Sequence, residues 1–176
     1  MADVPYEIER KFLIADPDVA ALEAAASSVS HIVQTYLSTD DGSAERVRRR
    51  LVRDADGERL QLTTTRKVGV SAGVVEEYEH ELDEAEYDDL LRRSDAARHP
   101  VVKTRWVVPH AGRTIEVDHL ESPRDLWLME VELPGTDDMA AALEFPEWLV
   151  VTAEVTGDDR YSNKNLALPE DPAGSH

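Results

Sequence analysis

Apolar and polar residues alternate along most of this chain. Tyr6 to Ile14 puts Ile8 and Phe12 at even positions and Glu7, Glu9 and Lys11 at odd ones. Side chains at alternate positions of an extended strand point to opposite faces, so the segment predicts a strand with one dry and one charged face. The same period recurs over Val33–Ser38, Glu45–Arg53, Glu58–Lys67, Val74–Leu82, Val101–Pro109, Arg113–Leu120 and Asp125–Leu133. Asp54-Ala55-Asp56-Gly57, the loop Gly69 to Gly73, and His110-Ala111-Gly112 are turn signals that link neighbouring strands as hairpins. About eight hairpin-linked strands result, enough for an antiparallel sheet to close on itself.

Three segments break the alternation with helical spacing. Asp16-Pro17 predicts the cap of the first, which carries Val19, Leu22 and Glu23. Asp83 and Glu86 predict a capping box for the second, with Tyr87, Leu90 and Leu91. Thr136 is the expected cap of the third, which runs through Met139, Ala142, Leu143 and Phe145 to Pro146. Short amphipathic helices of this kind pack on the outside of a sheet. A last turn or short helix is expected at Asp159–Asn163, and Pro169 to His176 reads as a disordered tail. Repeats and linkers are absent, so residues 1–168 read as one domain with a tail at 169–176. The expected fold is α+β: an eight-stranded antiparallel β-barrel with short helices packed outside.

The parity of the strands sorts the residues. Ile8, Phe12, Val47, Leu51, Leu60, Leu62, Leu82, Val102, Ile115, Val117, Leu128 and Val131 are assigned to the dry face. The other face holds Glu7, Glu9 and Lys11, then Arg46, Arg48 and Arg50, then Gln61, Thr63, Thr65 and Lys67. It continues with Glu77, Glu79 and Glu81, Lys103 and Arg105, Glu116 and Asp118, and Glu130 and Glu132. On an open sheet these rows are a charged exterior. On a sheet closed with its dry face outward, they line a tunnel.

Composition narrows what such a tunnel holds. The chain has 176 residues, of which 41% are hydrophobic, which fits a folded domain. Aromatics are only 6%, which argues against a large aromatic ligand box. With no cysteine, any metal must sit on carboxylate or imidazole. A net charge of −18 opposes binding to nucleic acid or to anionic membrane. Against that acidic background, Arg46, Arg48, Arg49 and Arg50 lie together and Lys103 and Arg105 alternate on another strand, the pattern of a local anion site. Charges of both signs inside a low-dielectric tunnel need partners. A polyphosphate answers the cations and divalent metal the carboxylates. Met1 to Pro5 carries no basic or apolar run and no stretch reaches the length of a membrane span, so a soluble cytoplasmic protein is the simplest reading.

These residues resemble the CYTH superfamily, the triphosphate tunnel metalloenzymes. Glu7-Ile8-Glu9-Arg10-Lys11 is similar to its Glu-x-Glu-x-Lys strand, and Gln34-Thr35-Tyr36-Leu37-Ser38 to the strand after its first helix. Arg46-Val47-Arg48, Glu77-Tyr78-Glu79 and Lys103-Thr104-Arg105-Trp106 resemble its Arg-x-Arg, Glu-x-Glu and Lys-x-Arg-aromatic strands. Glu116-Val117-Asp118, Glu130-Val131-Glu132 and the segment Glu154 to Asn163 complete the match in order. Val75 stands where the family often carries Arg, His119 where an apolar residue is usual, and the run Thr63-Thr64-Thr65 leaves the register before Lys67 open.

The resemblance implies a tunnel that binds a triphosphate with Mg²⁺ or Mn²⁺. It implies phosphate contacts from Lys11, Arg46, Arg48, Lys67, Lys103 and Arg105, to which Arg160 is added as a residue that closes the tunnel mouth. It places metal on Glu7, Glu9, Glu130 and Glu132, with Glu77, Glu79 and Asp118 completing the shell, and makes Glu7, Glu9, Lys11, Glu130 and Glu132 the catalytic set. The expected activity is metal-dependent hydrolysis of a small triphosphate, foremost inorganic tripolyphosphate. The alternatives are adenylate cyclase, thiamine triphosphatase and a non-catalytic polyphosphate-binding module. No nucleic-acid or membrane partner is expected, and a homodimer is left open.

Overall fold

The computed structural model describes Tyr6 to Pro169, so Met1–Pro5 and all of the expected tail beyond Pro169 lie outside the described residues. The strands are β1 (Tyr6–Ile14), β2 (Ser28–Tyr36), β3 (Ala44–Asp54), β4 (Gly57–Ser71), β5 (Val74–Glu81), β6 (Val101–His110), β7 (Arg113–Ser122), β8 (Leu126–Glu132) and β9 (Val151–Glu154). The helices are α1 (Val19–Ala25), α2 (Glu84–Leu91) and α3 (Asn163–Leu166), with 3₁₀ turns at Thr136–Ala140 and Asp159–Tyr161. Every strand pairing is antiparallel, in the order β5-β4-β3-β2-β6-β7-β8-β1-β9, and a further pairing of β5 with β1 closes eight strands into a barrel.

Closure happens on one edge of β1. Tyr6–Ile8 pairs with β5, while Phe12–Ile14 pairs with the short β9. Between them Glu9 N donates to Gly73 O at 2.9 Å. Gly73 has φ 72°, and a Cβ there would lie 2.5 Å from Glu9 O, so the seam needs glycine for both conformation and space. The hairpin signals hold. Asp54 pairs with Gly57, and Ala111 and Gly112 both take positive φ between His110 and Arg113, as a two-residue turn between twisted strands requires.

The outside of the barrel is dry where something covers it. Phe12, Trp106, Val117, Met129 and Val131 form one core with Leu22 of α1, and Trp127 and Trp148 pack against it. Val47, Leu37 and Tyr87 form another, against which Leu62, Leu82, Leu90 and Leu91 of the α2 side pack. Leu51 and Leu60, assigned to the dry face, are 41% and 42% exposed, because none of the described helices reaches that part of β3 and β4.

Other boundaries also differ from the sequence reading. The cap of α1 is Asp18, whose carboxylate accepts from the Ala20 and Ala21 amides, and not Asp16. The capping box of α2 forms as expected between Asp83 and Glu86. The third helix is only a 3₁₀ turn, preceded by Gly135 and lacking a side-chain cap, although Met139, Leu143 and Phe145 still pack on the outer core. β2 begins at Ser28 and not Val33, because Ser28 and Ser30 belong to the polar row that faces inward.

Leu128 is a correction of parity. It shares its face with Glu130, since Lys11 pairs with Glu130 and Leu13 with Leu128, so it points inward. There Leu128 meets Tyr36, Val101, Leu120 and, from α3 and its C-cap, Leu166 and Ala167, with Leu13 packed against them. This apolar cluster fills one end of the barrel on the β2, β6, β7 and β8 side. No helix among the described residues is long and apolar enough to cross a membrane.

Candidate functional site

The barrel encloses a cavity of about 330 Å³. Arg46, Arg48 and Arg50 come from β3, Lys67 and Gln61 from β4, Glu77 and Glu79 from β5, Glu7 from β1, Arg105 from β6, and Glu116 and Glu130 from β7 and β8. Glu9 and Lys11 line a neighbouring cavity that opens beside the β2–β3 loop and α3 and shares Arg46, Lys67 and Asn163 with the first. Lys67 faces inward, opposite Ala44, with Thr65 opposite Arg46, which settles the register of the threonine run.

Carboxylates and cations inside the barrel pair across strands. Lys67 bridges Glu7 and Glu77, the latter at 2.7 Å. Lys11 meets Glu130 at 2.9 Å. Asp118 takes Lys103 at 2.5 Å and Arg105 at 2.6 and 2.7 Å, and Arg105 also reaches Glu116 and, at 3.1 Å, Glu130. The β3 arginines are different. Among the described residues Arg46 and Arg50 have no salt bridge, Arg48 has one long one to Glu79 at 3.8 Å, and the buried Nε atoms of all three lack partners. Gln34, fully buried on the same inward face, also has an unpartnered carbonyl.

The proton affinities follow from this crowding. Burial, with the charges of Glu130 and Glu7, pushes Glu9 up to about 8. Burial also raises Glu7, although Lys67 opposes it. At Glu77 burial is outweighed by Lys67 and Arg46, which hold it down to about 2. At Asp118 and Glu130 burial is likewise overcome, by Arg105 and Lys103 and by Lys11 and Arg105, and both are held low. Burial and then Arg105 lower Lys103 to about 8. Burial and the like charges of Arg46, Arg50 and Arg105 lower Arg48 to about 9. Lys11, Arg46 and Arg105 are held charged, their burial outweighed by the carboxylates around them and, at Arg46, by Tyr36 as well, so the suppressed cations are Lys103, Arg48 and Arg50.

Most of the site residues named from sequence converge here. Glu132 sits at the rim, opposite Glu9 on the neighbouring strand, and lines an outer cleft with Glu7, Glu77 and Glu79. Arg160 is not brought in. Its side chain is 82% exposed, paired with Asp158 and lying over the Tyr161 ring, so it does not line the cavity. Lys164 donates to Ser43 O at 3.2 Å and anchors α3. His119 is a packing residue, its ring stacked on Trp127 and its Nε2 beside Asp125. Ser28, Ser30, Gln34 and Asn163 also line or face the interior and are not among the site residues singled out by the sequence pattern. The serines and Gln34 share the parity of Tyr36 and were open to a longer reading of β2, whereas nothing local marks Asn163.

A hydrogen-bonded barrel whose inner wall carries rows of both charges is the architecture of a CYTH domain. The CYTH domain family model matches residues 5–147, and the chain belongs to that family. Among its relatives are the inorganic triphosphatase of Acetivibrio thermocellus, 33% identical over 91% of this chain and 92% of its own, and that of Nitrosomonas europaea, 36% identical over 92% and 97%. The crystal structure of the inorganic triphosphatase NE1496 is similar with a TM-score of 0.56 and 31% identity over 93% of this chain and 97% of that one. HpAC1 from Hippeastrum, 21% identical over 74% of this chain and 81% of its own with a TM-score of 0.52, shares the fold.

Proposed function

We propose that this chain is a divalent-metal-dependent hydrolase of inorganic tripolyphosphate. The observation that carries this reading is the row of carboxylate-poor arginines, Arg46 and Arg48 buried and Arg50 half-buried, facing a carboxylate wall across one cavity. Two relatives that span almost the whole chain and are named inorganic triphosphatases support it.

In this reading Arg46 and Arg48 grip phosphoryl oxygens, Arg being suited to bidentate contact, and Lys11, Lys67, Lys103 and Arg105 add charge around the chain. Glu7, Glu9, Glu130 and Glu132 are the residues to hold the cation, with Glu77, Glu79 and Asp118 around them. Their chemistry fits, since all are hard oxygen donors, and the burial and carboxylate crowding that together lift Glu9 to about 8 are what a dication would offset. No three of the described acidic or imidazole groups converge on a point where they could hold an ion, because most of the inner carboxylates are turned to Lys or Arg. Phosphate binding resolves this by exchange: the cations swing to the phosphate chain and release their carboxylates. Bound there, Mg²⁺ or Mn²⁺ would neutralise phosphoryl charge and acidify a water. Water adds to the terminal phosphorus, the anhydride bond to the bridging oxygen breaks, and orthophosphate, pyrophosphate and a proton leave. The wall's contribution is placement and electrostatic stabilisation of the transferred group.

The test is ³¹P NMR of tripolyphosphate incubated with the protein and each metal. Equal orthophosphate and pyrophosphate are expected with Mg²⁺ or Mn²⁺. Folded protein that releases neither with either ion sinks the proposal, and cyclic AMP with pyrophosphate from ATP as the only products would replace it.

A further inference from the structure

We infer that Asn163, contributed by α3 and not by the barrel, is a further substrate-binding residue that reads the length of the phosphate chain. This rests on the reading of the tunnel as a tripolyphosphate site. Three residues line both the main cavity and the neighbouring one and stand between them: Arg46, Lys67 and Asn163. Arg46 and Lys67 reach that partition from barrel strands. Asn163 enters it from the C-terminal segment and carries the only uncharged side chain of the three.

The neighbours of Asn163 all have structural work. Ser162 accepts from Asn165 N, the Asn165 amide donates to Asp159 O at 2.9 Å, and Lys164 donates to Ser43 O. Arg98 holds the Lys164 carbonyl at 3.1 Å, and Leu166 and Ala167 are locked in the apolar end of the barrel. The Asn163 side-chain oxygen Oδ1, by contrast, is buried and unpartnered, as is the nearby Arg46 Nε. A buried amide left without a partner costs stability. A half-turn of the amide puts its two N–H donors where the oxygen is, at the same volume.

Dimensions connect this to chain length. Successive inward residues on a strand are separated by about 6.7 Å, a distance that the terminal oxygens of an extended triphosphate can span and those of pyrophosphate cannot. A chain held at Arg48 in the main cavity therefore reaches the partition at Arg46, Lys67 and Asn163 with its third phosphoryl group. Pyrophosphate does not. Asn163 then donates to that third group from a rigid mount, and the site prefers tripolyphosphate partly through it.

The experiment is calorimetric binding of inorganic tripolyphosphate and pyrophosphate, in Ca²⁺ buffer, to the wild-type protein and to Asn163→Ala and Asn163→Asp. Asn163→Ala is expected to weaken tripolyphosphate roughly tenfold, the loss of one charge-assisted hydrogen bond, and to leave pyrophosphate unchanged. Asn163→Asp keeps the shape and adds a negative charge, so it should weaken tripolyphosphate further still. An equal loss for both ligands, as a merely structural role would give, or no loss for either, overturns the inference. Wild-type protein that binds tripolyphosphate no tighter than pyrophosphate overturns it too. Tight, Asn163-dependent tripolyphosphate binding without release of orthophosphate under Mg²⁺ or Mn²⁺ would support Asn163 and overturn only the hydrolase reading.

Discussion

Glu9 and Arg48 show, residue by residue, that charge buried in the interior is held at a cost to the fold. Glu9 has its folded proton affinity raised from 4.5 to about 8, so the folded state holds a proton that the unfolded chain gives up. Stability contributed by this group is therefore complete below about pH 4.5 and falls as pH rises toward 8. Glu9→Gln removes that slope. In metal-free buffer it should match wild type at pH 4.5 and exceed it by up to about 4 kcal/mol at pH 8, read as unfolding free energy against pH, while losing metal-dependent turnover. Arg48→Met makes the matching case for the cations. It replaces a buried guanidinium crowded by three like charges with an apolar chain, so we expect a gain of about 1 kcal/mol in denaturant unfolding together with at least a hundredfold loss in kcat/KM. Both residues were legible from alternation alone, because a strand's parity fixes the face of a side chain. Their charge state was not, because it depends on which strands meet across the cavity.

Among the elements, the seam closes the barrel and α3 seats in its apolar end. The β4–β5 turn brings Gly73 against β1, and the barrel closes through that contact. Gly73→Ala puts a methyl carbon 2.5 Å from a backbone oxygen at positive φ, and is expected to cost at least about 2 kcal/mol. It should also raise hydrogen exchange at the Glu9 amide, and unchanged protection there would show that the seam is not held by this contact. Leu166→Ala tests the other end. Leu166 is 2% exposed in the apolar cluster that seats α3, and its truncation should cost about 3 kcal/mol by thermal or urea unfolding. Element boundaries were the least legible part of the sequence. Asp16 and Asp18 are both plausible caps by composition, and only the geometry after β1 selects Asp18. The third helix failed because Thr136 caps nothing, and packing of Met139, Leu143 and Phe145 on the barrel does not require a helix.

For the molecule as a whole, the barrel is held together by strands that also carry mutually crowded charges, so ligands should stabilise it strongly. Tripolyphosphate with Mg²⁺ or Mn²⁺ at a hundred times its dissociation constant is expected to add about 2.7 kcal/mol to unfolding, and chelation of the metal to remove most of that gain in a thermal shift measurement. No shift with any combination of the two would contradict the coupling between the charged wall and its ligands. What the sequence by itself determined was the two-faced character of each strand, the hairpins between them and the order of the charged pairs. These are local properties, set by a side-chain period of two and by turn residues. It also placed Lys67 in the right row, although its register waited for Thr65 to be found opposite Arg46. Only the tertiary structure decided that the charged face is the inside, that Leu128 belongs with it, that Arg160 stays out and that Asn163 comes in. The physical reason is closure. A flat sheet leaves its charged face in water, and it takes the pairing of β1 with β5, together with an α3 delivered from far along the chain, to make that face an interior.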